Sequence, residues 1–132
     1  MNNPTLDSFT SAYLQTALWS STDDEGDPLD ANHSEEDFDT ATFAQAIADC
    51  ARFQTENADT LAQAVTTGAV ACGPDFNEMG RAGHDFWLTR NGHGAGFWDG
   101  DWPEPFAAAL SEAARAFRGV DLYVGDDGQI YS

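Results

Sequence analysis

The sequence contains no lysine, and its only side chains that stay positively charged at neutral pH are five arginines. Asp and Glu number 23 among the 132 residues, which gives a formal net charge of −18 with histidine neutral. Binding to DNA, RNA or an anionic membrane depends on Lys and Arg side chains that neutralise phosphates. This scarcity of cations therefore excludes direct nucleic-acid binding and attachment to an acidic membrane surface.

Cysteine and long apolar runs are equally scarce. The two cysteines, Cys50 and Cys72, are spaced neither as a CxxC motif nor as a zinc site, so we expect reduced thiols and no cofactor. No run of about 18 apolar residues exists, which excludes a membrane-spanning helix. The first seven residues lack the basic and apolar regions of a signal peptide, and we therefore expect a cytoplasmic protein.

The chain does contain enough apolar material for one core. Hydrophobic residues make up 42% of the sequence and aromatic residues 12%, a composition unlike that of disordered acidic chains. Neither an internal repeat nor a Pro/Gly/Ser-rich linker divides the chain, so we expect a single domain over residues 1–132. Its first part, to about residue 72, is acidic and helical, and its second part covers about residues 80–132.

Apolar residues recur at helical spacing in the first part. Thr5 is the predicted N-cap of the first helix. Ser34, with Asp37 three residues later, or alternatively Asp39, is the predicted start of the second. Gly68 is the predicted end of the third. The predicted helices cover about residues 6–18, 39–56 and 58–67.

The pattern of the second part favours β-hairpins. Aromatic and β-branched residues flank an Asn-Gly turn within residues 84–98, which predicts one hairpin. Phe86 and Trp87 would then point to opposite faces and could not share a one-sided core. A helix that starts near Pro103 leads to a second hairpin over residues 120–131. We therefore expect an α+β fold: N-terminal helices, then hairpin–helix–hairpin forming an antiparallel sheet of three to four strands.

Residues 83–99 read GHDFWLTRNGHGAGFWD, and residues 121–131 read DLYVGDDGQIY. Over roughly residues 80–132 the chain resembles a group of small phage-encoded proteins without an assigned activity. The resemblance implies a phage or mobile-element origin and transfers no catalytic residue. In charge and size alone, the chain is also similar to phage DNA-mimic proteins that inhibit restriction or CRISPR effectors.

The negative charge is concentrated near the N-terminus, where residues 23–39 hold nine acids and no base. Duplex DNA carries one negative charge per ~1.7 Å of axis, so 18 charges correspond to ~30 Å of duplex. That length is close to the roughly 35 Å diameter of a compact chain of this size. We expect these carboxylates to meet Arg and Lys of a host nucleic-acid-binding enzyme or effector complex in place of phosphates. The predicted partner-binding residues are Asp23, Asp24, Glu25, Asp27, Asp30, Glu35, Glu36, Asp37 and Asp39.

A solvated acidic face that serves only solubility is the alternative left open for this segment. If the carboxylates bind a partner, reversing Glu35, Glu36, Asp37 and Asp39 to lysine is expected to abolish that binding. We also expect this reversal to leave the fold intact.

Two further function classes fit the second half of the chain. A small metal-dependent enzyme could use His84, His93 and Asp99, with Asp101, as cation ligands or as an acid–base pair, although no HExxH spacing is present. An accessory or assembly protein, or a homodimer, would instead use exposed aromatic side chains. The favoured interpretation is a non-enzymatic binding protein. For the accessory-protein or homodimer alternative, the candidate contact residues are the aromatic side chains Phe86, Trp87, Phe97, Trp98 and Trp102.

Overall fold

Five α-helices and one short hairpin form the part of the chain that the computed structural model describes, residues 6–74, 76–93 and 95–132. Two 3₁₀ turns, Leu29–Ala31 and Glu35–Asp37, lie between the first two helices. The architecture is mostly helical with a small antiparallel sheet, and it is α+β in that broad sense. The elements are α1 (Ser8–Ser20), α2 (Thr40–Glu56), α3 (Ala58–Thr66), α4 (Glu78–Arg90), α5 (Phe106–Arg115), β1 (Tyr123–Val124) and β2 (Ile130–Tyr131).

The helices in the first part of the chain begin and end close to the positions predicted from local sequence signals. Asp39 caps α2 by accepting a hydrogen bond from the Thr42 amide at 2.9 Å, which confirms the predicted helix and this choice of cap. The predicted cap Thr5 lies outside the described residues, and Asp7 is the N-cap of α1. Gly68 follows α3 at φ +71°, a backbone angle that glycine adopts without strain, so the predicted end is also correct.

The predicted hairpin over residues 84–98 is wrong. Residues 84–90 belong to α4, and residues 91–93 and 95–100 form turns and irregular backbone instead of a returning strand. Helix α4 is buried on nearly every side, so both Phe86 and Trp87 lie in the core, 0% and 2% exposed. A helix surrounded by protein has no polar face and therefore shows no helical periodicity in its sequence. The sheet among the described residues accordingly has two strands, not three to four.

Helix α4 packs directly against α1 because Gly83 has no side chain. A Cβ at this position would lie 1.9 Å from the carbonyl oxygen of Phe9, so only glycine allows the two backbones to come this close. Stacked rings fill the space beside this contact: Phe53 lies 4.3 Å from Phe86 and 5.8 Å from Phe97, centroid to centroid.

Arg90, at the end of α4, joins three other parts of the core. Its Nη1 donates to Asp49 Oδ2 on α2 at 2.9 Å and to the Tyr13 hydroxyl on α1 at 3.0 Å. Its Nε and Nη2 donate to the carbonyl oxygens of Arg118 and Phe117, just beyond α5, at 2.7 and 3.0 Å. This buried guanidinium therefore has a structural role.

The second predicted hairpin is present but short. Strand β1 pairs with β2, with Tyr123 opposite Tyr131 and Val124 opposite Ile130. The helix expected from Pro103 begins later, at Phe106. In the described part of the chain, no helix has both the length and the apolar composition needed to cross a membrane.

Candidate functional site

The acidic segment, residues 23–39, follows a defined path because apolar anchors hold it. Leu29 and Phe38 are 0% and 6% exposed, and both belong to the main core. The Leu29 amide donates to the Ser21 carbonyl oxygen at 2.9 Å, and the Asp39 amide donates to that of Ile130 at the same distance. The carboxylates of this segment are therefore displayed from a fixed backbone.

Several of the nine predicted partner-binding acids have structural roles. Asp23 Oδ1 accepts from the amides of Glu25 and Asp27 at 2.9 and 3.0 Å. Asp37 accepts from the Ser34 amide at 2.8 Å and completes a capping box on the second 3₁₀ turn, rather than on α2. Asp39 caps α2, and the hydrogen bond from Thr42 holds its pKa below the usual value.

The expectation that reversal of Glu35, Glu36, Asp37 and Asp39 leaves the fold intact is not tested, and these hydrogen bonds predict that the reversal destabilises the fold. Lysine at Asp37 and Asp39 would remove two caps and place positive charge at a helix N-terminus. Glu35 is partly buried, and that burial raises the pKa of its carboxyl group. Of this set, Glu36 alone is both exposed and outside the cap hydrogen bonds.

Five acids of the segment are exposed, and no arginine among the described residues lies within 4 Å of their carboxylates. Three arginines form ion pairs in the described structure, and all their acidic partners lie outside residues 23–39. The segment therefore presents negative charge that no arginine contacts. The five exposed acids are Asp24, Glu25, Asp27, Asp30 and Glu36.

A second polar constellation centres on Asp85, whose carboxylate is completely buried in α4. Its Oδ2 accepts from Trp102 Nε1 at 2.8 Å and lies 3.5 Å from Arg81 Nε, while its Oδ1 lies 2.9 Å from His84 Nδ1. With the carboxylate oxygen as the acceptor, Nδ1 of His84 is the donor in this pair. Asp85 thereby fixes the orientation of the histidine ring.

Two more carboxylates lie beside this pair. Arg81 Nη2 hydrogen-bonds Asp101 Oδ2. Burial raises the pKa of the neighbouring Asp99, and the proximity of Asp101 and Asp85 adds to that effect. Arg81 thus pairs with two carboxylates, and Asp99 lies close to both of them, so the carboxylates of this cluster outnumber its guanidinium.

His84 opens onto a groove of about 600 Å³ between α1 and the start of α4. Its ring centroid lies 5.3 Å from that of Phe76 and 6.0 Å from that of Trp19. Trp19 is 47% exposed, so much of its indole remains accessible to solvent. We call this feature the His84 groove; its lining residues are Gln15, Trp19, Phe76, Arg81 and His84.

The structure brings together some of the predicted metal-binding or catalytic residues and separates another. Asp101 pairs with Arg81, and Asp99 lies close to Asp101 and to Asp85, the carboxylate that contacts His84. His93 is exposed and lines a different groove. Within residues 6–74, 76–93 and 95–132, no three His, Cys, Asp or Glu side chains are grouped so as to hold a metal ion. Sequence reasoning missed Arg81, although its spacing of four from Asp85 signals an ion pair once α4 is recognised as a helix.

Most of the 83–99 motif builds the fold. The Thr89 hydroxyl accepts from the Phe97 amide at 3.1 Å, and the Asn91 side chain accepts from the Val120 amide at 2.7 Å. Among the predicted aromatic contact residues, Trp98 alone is exposed, at 47%, and the other four are buried. The residues of the motif therefore mainly build α4 and the loop that follows it.

Comparison with protein-family models, curated proteins and solved structures finds no match to this chain.

Proposed function

We propose that this protein is a non-enzymatic binder of a basic, nucleic-acid-binding surface on another protein. The observation that carries the proposal is the acidic segment: five exposed carboxylates without an arginine partner, displayed from a backbone anchored by Leu29 and Phe38. Because the backbone of the segment is already ordered, binding of its carboxylates to the Arg and Lys of a partner does not require the segment to fold first, which lowers the cost of association. The net charge of −18 would steer a basic partner toward the molecule.

The finer form of the proposal is DNA mimicry in a bacterial host infected by a phage. The partner would be a restriction or CRISPR effector, whose nucleic-acid groove is lined with cations that normally meet phosphates. The similarity of this chain to phage DNA mimics in charge and size supports this choice of partner. A solvated acidic face is the competing explanation, and a charge-matched comparison separates the two.

The test uses two variants with equal charge change. The segment variant carries Asp24→Asn, Glu25→Gln, Asp27→Asn and Glu36→Gln, which leaves the cap residues Asp37 and Asp39 in place. The control variant carries Asp59→Asn, Glu112→Gln, Asp121→Asn and Asp126→Asn, all at exposed positions outside the segment. Each protein is immobilised and exposed to host lysate at low and at high salt. Bound proteins are identified by mass spectrometry, and displacement by added duplex DNA is measured.

Mimicry predicts capture of a nucleic-acid-binding enzyme by the native protein and by the control variant, displaced by duplex and weakened at high salt. The segment variant should lose most of that capture. Equal capture by both variants would show that the segment is not the contact surface. Capture that resists both salt and duplex would favour an interface made by exposed aromatics, with Trp98 as the first candidate.

A further inference from the structure

We propose that the His84 groove binds one guanidinium group, an arginine side chain presented by the basic partner. This inference rests on the proposed function and extends it from a diffuse acidic surface to one defined pocket. Three observations support it: the hydrogen-bond acceptors of His84 and Gln15, the exposed ring of Trp19, and the excess of carboxylates over the guanidinium of Arg81.

His84 offers a hydrogen-bond acceptor to the groove. In the tautomer whose Nδ1 proton is donated to the buried carboxylate of Asp85, the lone pair of the ring lies on Nε2. No hydrogen bond within the described residues uses Nε2, which lies on the side of the ring away from Asp85. The histidine is thus held as an oriented acceptor beside the groove.

Gln15 supplies a second neutral acceptor from α1. Its Nε2 donates to the Ser11 hydroxyl at 3.3 Å, no hydrogen bond among the described residues uses its amide oxygen, and the residue lines the groove. A guanidinium carries five N–H donors in one plane and can serve two acceptors at once, whereas an ammonium is a compact, strongly hydrated charge.

The half-exposed indole of Trp19 gives this cation a face to stack on. Arginine stacks on aromatic rings while its N–H groups still point outward in the plane, so one guanidinium can stack on a ring and donate to a neighbouring acceptor at the same time. The groove volume of about 600 Å³ is ample for one side chain.

Electrostatics favours a cation despite the presence of Arg81 in the lining. That guanidinium is already paired with Asp85 and Asp101, and Asp99 adds a third carboxylate, so the cluster is negative as a whole. Attraction between partly buried charges is stronger than in bulk water because the surroundings screen it less. The same balance disfavours an anionic ligand.

The test is an NMR titration with the capped peptide acetyl-Gly-Arg-Gly-amide. Its matched control replaces arginine with citrulline, which has nearly the same shape and no charge. The reporters are the indole N–H signal of Trp19 and the ring nitrogen signals of His84. Trp19→Leu removes the stacking face, and Trp98→Leu changes a tryptophan of equal exposure, 47%, outside the groove.

We expect the arginine peptide to give saturable shifts at Trp19 and His84, and the citrulline peptide to bind more weakly. Trp19→Leu should weaken the arginine peptide about two- to fivefold, the range of a cation–π contact at an exposed site. Trp98→Leu should leave binding unchanged. Equal binding of the citrulline peptide, or an affinity unchanged by Trp19→Leu, would overturn the proposal.

The same variants show whether this inference or the proposed function has failed. If Trp19→Leu keeps full capture of the partner while the segment variant loses it, the groove proposal is wrong and the proposed function stands. If neither variant changes capture, both are wrong.

Discussion

Gly83 sets the distance between α1 and α4, because a side chain at this position would collide with one backbone oxygen of α1. In an exposed helix interior, replacing glycine with alanine is favourable by about 1 kcal/mol, because alanine has the higher helix propensity. At Gly83 the added methyl group would lie 1.9 Å from a backbone oxygen of Phe9, which cannot rotate away as a side chain can. Replacing Gly83 with alanine should therefore destabilise the fold instead of stabilising it.

We predict that Gly83→Ala lowers the free energy of unfolding by at least about 2 kcal/mol, because the two helices must move apart. Gly80→Ala on the same helix is the matched control. Its Cβ would meet side-chain atoms of Asn77 and Phe76 at 3.1 and 3.2 Å, and small shifts can relieve these contacts. Urea unfolding followed by circular dichroism measures both variants. A Gly83→Ala protein as stable as the Gly80→Ala protein would contradict the close approach.

At the residue scale, the sequence predicts what depends on neighbours in the chain. The Asp39 cap and the Gly68 end each involve partners within a few residues, and both are correct. The cluster around Asp85 depends instead on Trp102, 17 residues away, and on a loop that brings Asp101 back to Arg81. No local pattern encodes those distances, so the predicted set of His84, His93, Asp99 and Asp101 was only partly brought together.

At the scale of elements, α4 shows why aromatic content misleads when a helix is central. Nine of its thirteen residues are buried, so its sequence lacks the polar face by which α2 and α3 were recognised. Phe, Trp and Thr then indicate a strand by composition alone. The terminal hairpin was predicted correctly because a glycine-containing turn and alternating residues are local features.

The start of α1 gives a pH-dependent prediction. Asp7 accepts from the Thr10 amide at 2.8 Å and from Gln54 of α2 at 3.3 Å. Burial acts to raise the pKa of Asp7, but these hydrogen bonds outweigh it, and the pKa lies below the ordinary 3.8. A lowered pKa means that the carboxylate stabilises the fold above pH 3.8 and that this contribution is lost as the pH falls through the folded-state value.

We predict that Asp7→Ala costs about 1 kcal/mol at pH 7, because α1 loses its cap. Asp7→Asn keeps a neutral cap, so its stability relative to the native protein should improve as the pH falls from about 5 to 3. Urea unfolding across this range measures the difference, and Asp121→Asn controls for the general loss of negative charge. If the difference in stability between the native protein and the Asp7→Asn variant does not change with pH, the charged cap is ruled out.

At the scale of the whole molecule, the high negative charge lowers the stability of the isolated fold. A net charge of −18 on 132 residues destabilises the compact state by self-repulsion. In the described structure three arginines pair with only four of the 23 acids, and the pair of Arg52 with Glu56 is exposed and contributes little, so most of this repulsion is not offset. In the proposed complex the cations of the partner would relieve the same repulsion.

We therefore predict that raising NaCl from about 20 to 500 mM increases the Tm, by roughly 4 °C for each kcal/mol of repulsion screened. At low salt both charge-matched variants should melt higher than the native protein. The segment variant should gain more than the control, because it thins nine acids crowded into residues 23–39. Differential scanning calorimetry at both salt concentrations measures these changes. A native Tm that stays flat or falls with salt would mean that the carboxylates repel one another too weakly to matter, and binding of a cationic partner could then draw little free energy from relieving that repulsion.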